Sequence, residues 1–132
     1  MRNISKMNHI SIGQFGENLG SAYLIKRGYK ILGRNYRRKW DEIDIISRRK
    51  DGTIIFCEVK TLKGNSAGGL MPEDNLSTAK IKKLRRACQV FVGKHPELIS
   101  DKKGWQIDLL AIVLKYPDGT GREPIIRHYE NI

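Results

Sequence analysis

Two apolar segments joined by a polar turn lie between residues 42 and 61, which read EIDIISRRKDGTIIFCEVKT. Isoleucine and valine recur in both segments, and β-branched residues of this kind favour strands. The residues between the segments are Arg49, Lys50, Asp51 and Gly52, a polar group typical of a turn. We therefore predict strands over residues 42–47 and 53–61 that pair as a hairpin.

Acidic side chains occupy alternating positions in both predicted strands. Successive side chains of a strand point to opposite faces, so Glu58 and Lys60 share one face. By the same rule Glu42 and Asp44 share a face, and the two isoleucines that flank Asp44 share the other. Pairing of the hairpin would then bring Asp44 and Glu58 together, although strand ends also carry solvated charges that bind nothing.

Two crowded carboxylates repel each other, and a hard divalent cation with oxygen ligands removes that repulsion. We therefore expect Mg²⁺ or Mn²⁺ at Asp44 and Glu58. Such an ion polarises a phosphodiester, and the ammonium group of Lys60 would offset the charge that develops on the phosphate oxygens and the attacking water. This combination is typical of hydrolytic chemistry.

The remaining elements follow from periodicity and from capping residues. A first helix is predicted over residues 11–27, with an apolar stripe and a stop at Gly28. A strand follows over residues 29–36. Ser77 is predicted to cap a second helix, which ends before Pro96. Further strands are predicted over residues 105–114 and 124–129, separated by a turn at residues 118 and 119. The apolar stripe of the first helix consists of Ile12, Phe15, Leu19, Ala22 and Tyr23, and that of the second of Ile81, Leu84, Cys88 and Phe91.

The length of 132 residues fits one domain, and the order α-β-β-β-α-β-β predicts an α/β fold with a mixed sheet flanked by helices. Residues 1–8 are expected to form a flexible N-terminus and residues 62–76 a mobile loop. No apolar run is long enough to span a membrane, and nothing in the N-terminal segment indicates export, so we expect a cytoplasmic protein without a membrane partner. Cys57 and Cys88 lie in apolar stretches and are predicted to be core residues.

The charge of the chain points to a polyanionic partner. Its 25 Lys and Arg residues exceed its 14 Asp and Glu residues, which gives a net charge of +11 at pH 7. A basic balance of this size favours nucleic acid, with phosphate contacts from the basic clusters. The residues expected to bind nucleic acid are Arg37, Arg38, Lys39, Lys80 and Lys83. Trp40 beside the first cluster is able to stack on a base, although a tryptophan at the entrance of a strand more often has a packing role.

The first helix contributes one further acid. Gly13, Gly16 and Gly20 recur along it, and glycine inside a helix indicates close approach of another backbone. Glu17 lies about 60° around the helix from Gly20, so it can reach the edge of the sheet; an exposed ion pair is the alternative. Asp108 is interpreted as a buried support for the site, and no role is assigned to His95 or His128.

Taken together, these motifs resemble the YraN-like family of uncharacterised bacterial proteins, which is related to the Holliday-junction resolvases of the PD-(D/E)XK nuclease superfamily. The resemblance covers most of the chain. It rests on residues 13–17, Ala22, Leu24, Gly28, Tyr29, Asn35, residues 42–44, Phe56, residues 58–60, Pro72, Glu73, Lys80, Asp108 and Asn131. It departs from the family at Asp41, where a glycine is usual, so the turn there is expected to differ.

The resemblance implies a restriction-endonuclease-like core and a role for each acid. Glu17 stands at the position of the first-helix acid, Asp44 and Glu58 at those of the metal ligands, and Lys60 at that of the catalytic lysine. The implied activity is metal-dependent, resolvase-like hydrolysis of DNA phosphodiesters. A nucleic-acid-binding module with little or no catalytic activity is the alternative, and a protein-interaction module ranks third. By analogy with two-fold resolvases, a homodimer is a further expectation.

Overall fold

A computed structural model of the chain describes residues 8–63, 76–114 and 124–132. The predicted α/β fold and its element order are confirmed. The elements are α1 (Asn8–Lys26), β1 (Lys30–Arg37), β2 (Glu42–Arg48), β3 (Ile54–Lys63), α2 (Thr78–Lys94), a 3-10 turn (Pro96–Leu98), β4 (Trp105–Leu114) and β5 (Ile125–Tyr129). The turn expected at residues 118 and 119 lies outside the described residues.

The five strands form one mixed sheet in the order β1-β2-β3-β4-β5. Neighbouring strands are antiparallel except β3 and β4, which are parallel. A parallel pair needs a crossover connection, and α2 lies on the segment that joins these two strands. The predicted hairpin is β2 and β3, and its turn closes where the Arg49 amide donates to the Thr53 carbonyl over 2.9 Å.

A hydrophobic core lies on each face of the sheet, one under each helix. The core under α1 contains Leu24, Ile45, Ile55, Cys57, Leu110 and Ile112. The core under α2 contains Ile43, Ile46, Ile54, Phe56, Leu84, Ala87, Cys88, Phe91 and Ile107. Cys57 and Cys88 are both fully buried, as predicted, and they lie in different cores.

Close backbone approach holds α1 against the sheet. A Cβ atom on Gly16 would collide with the Thr61 hydroxyl, and one on Gly20 would press on Leu110 and other core side chains. Gly13 has open space around it, so the prediction of close approach is wrong there. The predicted apolar stripe is also partly wrong, because Phe15 is 46% exposed while the glycine face and Leu24 are buried. Gly16 and Gly20 thus allow α1 to lie close to the sheet, and Leu24 is buried on the same side.

The second helix follows its predicted pattern closely. Ser77 is the N-cap, and its side chain accepts a hydrogen bond from the Lys80 amide over 3.2 Å. Leu84, Cys88 and Phe91 are buried as predicted, and Ala87 is buried with them. The opposite face is exposed and basic, with Lys80, Lys82, Lys83, Arg85 and Arg86.

Some predicted boundaries and faces differ in the structure. Helix α1 already includes Asn8, and β3 continues through residues 62 and 63, which were expected to lie in a loop. Leu76, from the same expected loop, is buried; residues 64–75 lie outside the described part. Ile43 and Ile45 belong to different cores, so they do not share a face. Asn35 on the neighbouring strand has a φ of 53°, a conformation that interrupts regular strand alternation.

Candidate active site at the β2–β3 edge

Two acidic side chains meet where β2 and β3 diverge. The last residue pair of the hairpin toward this end is Ile45 with Cys57, and Asp44 and Glu58 are the next residues on each strand. The Val59 amide donates a hydrogen bond to Asp44 Oδ2 over 2.8 Å, which fixes the carboxylate against β3. Asp44 is only 6% exposed. The backbone of β3 therefore holds the Asp44 carboxylate in place.

Burial raises the pKa of both acids and so disfavours their ionised forms. The pKa of Asp44 rises to about 6, first because the carboxyl is buried and then because the charges of Glu17 and Glu42 oppose a further negative charge. The hydrogen bond from Val59 works in the other direction. The pKa of Glu58 rises to about 7, again first through burial and then through the charge of Asp44. The site therefore holds more negative charge than the protein stabilises by itself.

Lys60 is a cation close to the Glu58 carboxylate. Its Nζ lies 3.8 Å from Glu58 Oε1, at the outer limit of an ion pair, and both side chains are partly buried. The positive charge of Lys60 lowers the pKa of both acids, but burial outweighs it. The ammonium group is thus close to the acids without neutralising them.

Glu17 projects from α1 toward the same site. Its charge contributes to the raised pKa of Asp44, so the two carboxylates are electrostatically linked. Arg34 Nη2 lies 3.7 Å from Glu17 Oε1 and donates to Asn18 Oδ1 over 2.8 Å. Glu17 Oε1 is buried and accepts no hydrogen bond from any residue that the structure describes. A buried carboxylate oxygen without a donor is uncommon in folded proteins.

A cavity of about 520 Å³ opens beside Glu58. Its lining combines four basic residues with three acidic ones: Arg37, Arg38, Lys80 and Lys83 with Asp41, Glu42 and Glu58. Trp40, Leu76 and Leu84 complete the wall. Four of the five residues predicted to bind nucleic acid therefore line this cavity, and the fifth, Lys39, places its Nζ 4.9 Å from the centre of the Trp40 ring.

Two of these basic residues are already paired within the protein. Arg37 Nε lies 3.3 Å from Glu42 Oε2, and Arg38 Nε lies 3.0 Å from Asp41 Oδ1. The Arg38 pair is largely buried, whereas the Arg37 pair is exposed. Both arginines were predicted to bind nucleic acid, and in the structure acids of the β1–β2 connection and of β2 partly neutralise them.

A second cluster surrounds Asp108, which is fully buried as predicted. Its Oδ1 accepts hydrogen bonds from the Gln106 amide group and from the Asn131 backbone, both over 2.9 Å. Its Oδ2 lies 2.7 Å from His128 Nε2, and His128 Nδ1 lies 3.0 Å from the Tyr23 hydroxyl. This network ties β5 and the C-terminus to β4 and α1.

The same cluster is a possible metal-binding group. Ligand atoms of Asp108, His128 and Glu130 lie within 4.8 Å of one another, and this is the one group of three such residues across residues 8–63, 76–114 and 124–132. These ligand atoms already have partners, however. The Asp108 carboxylate has three hydrogen-bonding contacts, and Glu130 pairs with Arg49 over 3.2 Å. The arrangement therefore serves as a hydrogen-bond network. His128 had no predicted role, and the alternating positions of His128 and Glu130 were the available signal in the sequence.

The fold and the site define a mixed α/β protein with a buried acidic cluster at one edge of a five-stranded sheet. The chain belongs to the uncharacterised protein family UPF0102, whose model matches residues 16–112. This confirms the YraN-like resemblance, and the matched region contains Glu17, Asp44, Glu58 and Lys60. His128 and Glu130 lie beyond it.

Three relatives illustrate the similarity, each carrying the name UPF0102 protein. The chain is 38% identical to one from Caldicellulosiruptor bescii over 82% of its own length and 87% of the relative's. It is 38% identical to one from Chloroherpeton thalassium over 80% and 78% of the two lengths. It is 30% identical to one from Mycobacterium tuberculosis over 100% and 99%. Neither helix in the described part of this chain is long and apolar enough to cross a membrane.

Proposed function

We propose that this protein is a divalent-metal-dependent nuclease that hydrolyses phosphodiesters in nucleic acid, with DNA as the expected substrate. The observation that carries the proposal is the pair of adjacent acids, the buried Asp44 and the partly buried Glu58, whose pKa values are raised to about 6 and about 7. A third acid, Glu17, adds a buried oxygen that accepts no hydrogen bond from the described residues. Several carboxylates held away from water in one place are stabilised by a bound cation.

The donor set fits Mg²⁺ or Mn²⁺. These ions prefer oxygen ligands and are commonly held by one or two carboxylates together with water and substrate phosphate. Asp44 and Glu58 would hold the ion directly, and Glu17 Oε1 would receive a hydrogen bond from its water shell. When bound, the ion would polarise the phosphodiester and favour ionisation of a water molecule.

The protein's own residues would supply orientation and charge. In hydrolysis the water oxygen forms a bond to phosphorus, the bond to the leaving sugar oxygen breaks, and that oxygen ends protonated. Lys60 lies beside Glu58, where its ammonium group would offset negative charge on the phosphate oxygens. The fixed position of Asp44, held by the Val59 amide, would limit the motion needed to reach the reacting geometry.

The charge of the chain supports a nucleic-acid substrate. The net charge is +11, and exposed basic residues of α2 stand beside the cavity that contains Glu58. Lys80 and Lys83 would contact phosphates next to the cleaved bond, since basic side chains supply most of the affinity for a phosphate backbone. The expected homodimer and cytoplasmic location stay predictions.

Cleavage of defined DNA substrates tests this proposal. The purified chain is incubated with linear duplex, single-stranded and four-way-junction DNA, with Mg²⁺, with Mn²⁺ or with a chelator. Asp44→Asn and Glu58→Gln should abolish cleavage together with metal binding, whereas Lys60→Ala should retain the metal and lose cleavage. Asp51→Asn and Lys102→Ala, which lie toward the opposite end of β3 and β4, serve as controls and should cleave like the unmodified protein.

The outcomes separate the two functions that the sequence left open. Cleavage that needs the metal and all three residues supports the nuclease. DNA binding with no cleavage of any substrate would overturn it and favour the binding module. Cleavage that survives Asp44→Asn would show that the activity belongs to another site or to a contaminant.

A further inference from the structure

The aromatic ring of Trp40 is exposed on the connection between β1 and β2. Its exposed fraction is 68%, the largest among the exposed large apolar residues of the described part of the chain. The second tryptophan, Trp105, instead packs against Phe56 with ring centres 5.4 Å apart. Lys39 Nζ lies 4.9 Å from the centre of the ring, yet most of the side chain stays exposed. Water contact with so large an apolar surface is unfavourable, so the exposed part of Trp40 is available to a ligand.

The backbone that carries Trp40 is held in place. Trp40 lies between β1 and β2, where the Arg38 amide donates to the Asp41 carbonyl over 2.8 Å. The Arg38 side chain pairs with the Asp41 carboxylate, which is only 3% exposed. The exposed indole therefore stands on a short connection that is closed by both backbone and side-chain contacts. A rigid aromatic surface loses little conformational freedom when it binds.

The cavity joins this ring to the acidic site. Trp40 and Glu58 are both lining residues, and Lys83 of α2 is another. The volume of about 520 Å³ lies within the range of small-molecule sites, which suits one or two nucleotides. The lining thus offers a stacking surface, a cation for phosphate and an acid of the proposed metal site.

We infer that Trp40 stacks on an unpaired base next to the cleaved phosphodiester, so that the preferred substrate has single-stranded or splayed nucleotides at that point. Bases inside a duplex stack on their neighbours and present no free face, whereas an unpaired base presents one. Lys83 binds an adjacent phosphate while the base lies on the indole. This inference rests on the proposed function, since it names the substrate class of the same site.

Binding measured in a chelator tests the inference without cleavage. Fluorescence anisotropy compares labelled oligonucleotides of equal length: a single strand, a blunt duplex and a strand that consists of abasic residues throughout. Stacking contributes about 1–3 kcal/mol per base, so Trp40→Leu should weaken binding of the single strand by about 5- to 150-fold. Trp40→Phe, which keeps an aromatic ring, should retain most of the affinity. Thermal unfolding checks that both variants are folded.

The abasic strand separates stacking from charge. It keeps every phosphate, so Trp40→Leu should bind it as the unmodified protein does. Lys83→Ala should weaken the binding of all three oligonucleotides, because it removes a phosphate contact. Equal affinity of Trp40→Leu and unmodified protein for the single strand would overturn the inference, as would an equal loss on the abasic strand.

The result is independent of the nuclease assay. A protein that cleaves DNA but shows no effect of Trp40→Leu keeps the proposed function and loses this inference. A protein that binds unpaired bases through Trp40 but cleaves nothing keeps the inference as a description of binding and loses the nuclease.

Discussion

Replacing Asp44 by Asn should stabilise the metal-free protein at pH 8. Asparagine keeps the shape of the side chain and an oxygen that accepts the Val59 amide, but it removes a charge from the cluster. The pKa of Asp44 rises from 3.8 to about 6 in the folded protein, first because of burial. A pKa shift of this size means that ionisation of Asp44 lowers the free energy of unfolding by about 3 kcal/mol.

The gain should be about 1–3 kcal/mol in the free energy of unfolding. The lower bound allows for the cost of burying an amide group in place of the carboxyl. A second gain comes from Glu58, because the charge of Asp44 is one reason why its pKa is raised to about 7. Removing that charge allows Glu58 to ionise at lower cost.

The pH dependence identifies the cause. An acid whose pKa is raised by folding costs nothing below its unfolded pKa, and stability is lost as the pH rises through the folded pKa. The advantage of Asp44→Asn should therefore be small at pH 4, grow between pH 4 and about 6, and be complete at pH 8. Mg²⁺ or Mn²⁺ should reverse the order, because only the unmodified protein gains stability from the bound ion.

Urea unfolding with a chelator measures these differences, and Asp51→Asn is the matched control. Asp51 lies in the β2–β3 turn, where hydrogen bonds from the Arg49 side chain lower its pKa, so its charge favours the fold. Asp51→Asn should give no stabilisation at pH 8. The electrostatic account of the site would be refuted by an Asp44→Asn variant that is less stable than the unmodified protein at pH 8. It would also be refuted if the substitution stabilised the protein as much at pH 4 as at pH 8.

Three further predictions concern packing, the C-terminal network and the charge of the surface. Gly16→Ala should destabilise the fold by about 1–3 kcal/mol, because its Cβ atom would collide with the Thr61 hydroxyl. Gly13→Ala, which has open space around it, should stabilise the fold by up to about 1 kcal/mol. A shift of the urea midpoints of both variants in the same direction would contradict this. Asp108→Asn should cost about 2–3 kcal/mol, since an amide cannot satisfy three donors at once, and an unchanged midpoint would contradict the network around His128. Affinity for single-stranded DNA should fall steeply with salt in anisotropy titrations, and a value that hardly changes up to physiological salt would exclude phosphate-dominated binding.

Local sequence patterns predicted most of the fold. The predicted bounds of β4 coincide with Trp105–Leu114, and Ser77 caps α2 as expected. Both features depend on a few neighbouring residues, so the sequence alone is enough to predict them. The stripe on α1 was only partly correct, because Leu19 and Tyr23 pack against the core but Phe15 is exposed, and Gly16 and Gly20 form part of the contact with the sheet. Apolar periodicity assumes that large side chains fill the interface.

The site was predictable only in part, for a physical reason. Alternation in the hairpin was enough to suggest that Asp44 and Glu58 lie near each other. The pairing of Arg38 with Asp41 and the contact of Asp108 with His128 depend on which side chains the fold brings together, some of them distant in sequence. Spacing within one element carries no information about such contacts.

Calorimetric titration of Mn²⁺ into the metal-free protein at pH 8 tests the central claim most directly. We expect binding by the unmodified protein and by Lys60→Ala, and none by Asp44→Asn. We also expect binding to weaken as the pH falls below about 7, where Glu58 and then Asp44 become protonated. An unmodified protein that binds no Mn²⁺ even with DNA present, or an Asp44→Asn variant that binds it equally well, would contradict the assignment of the metal to this acidic site.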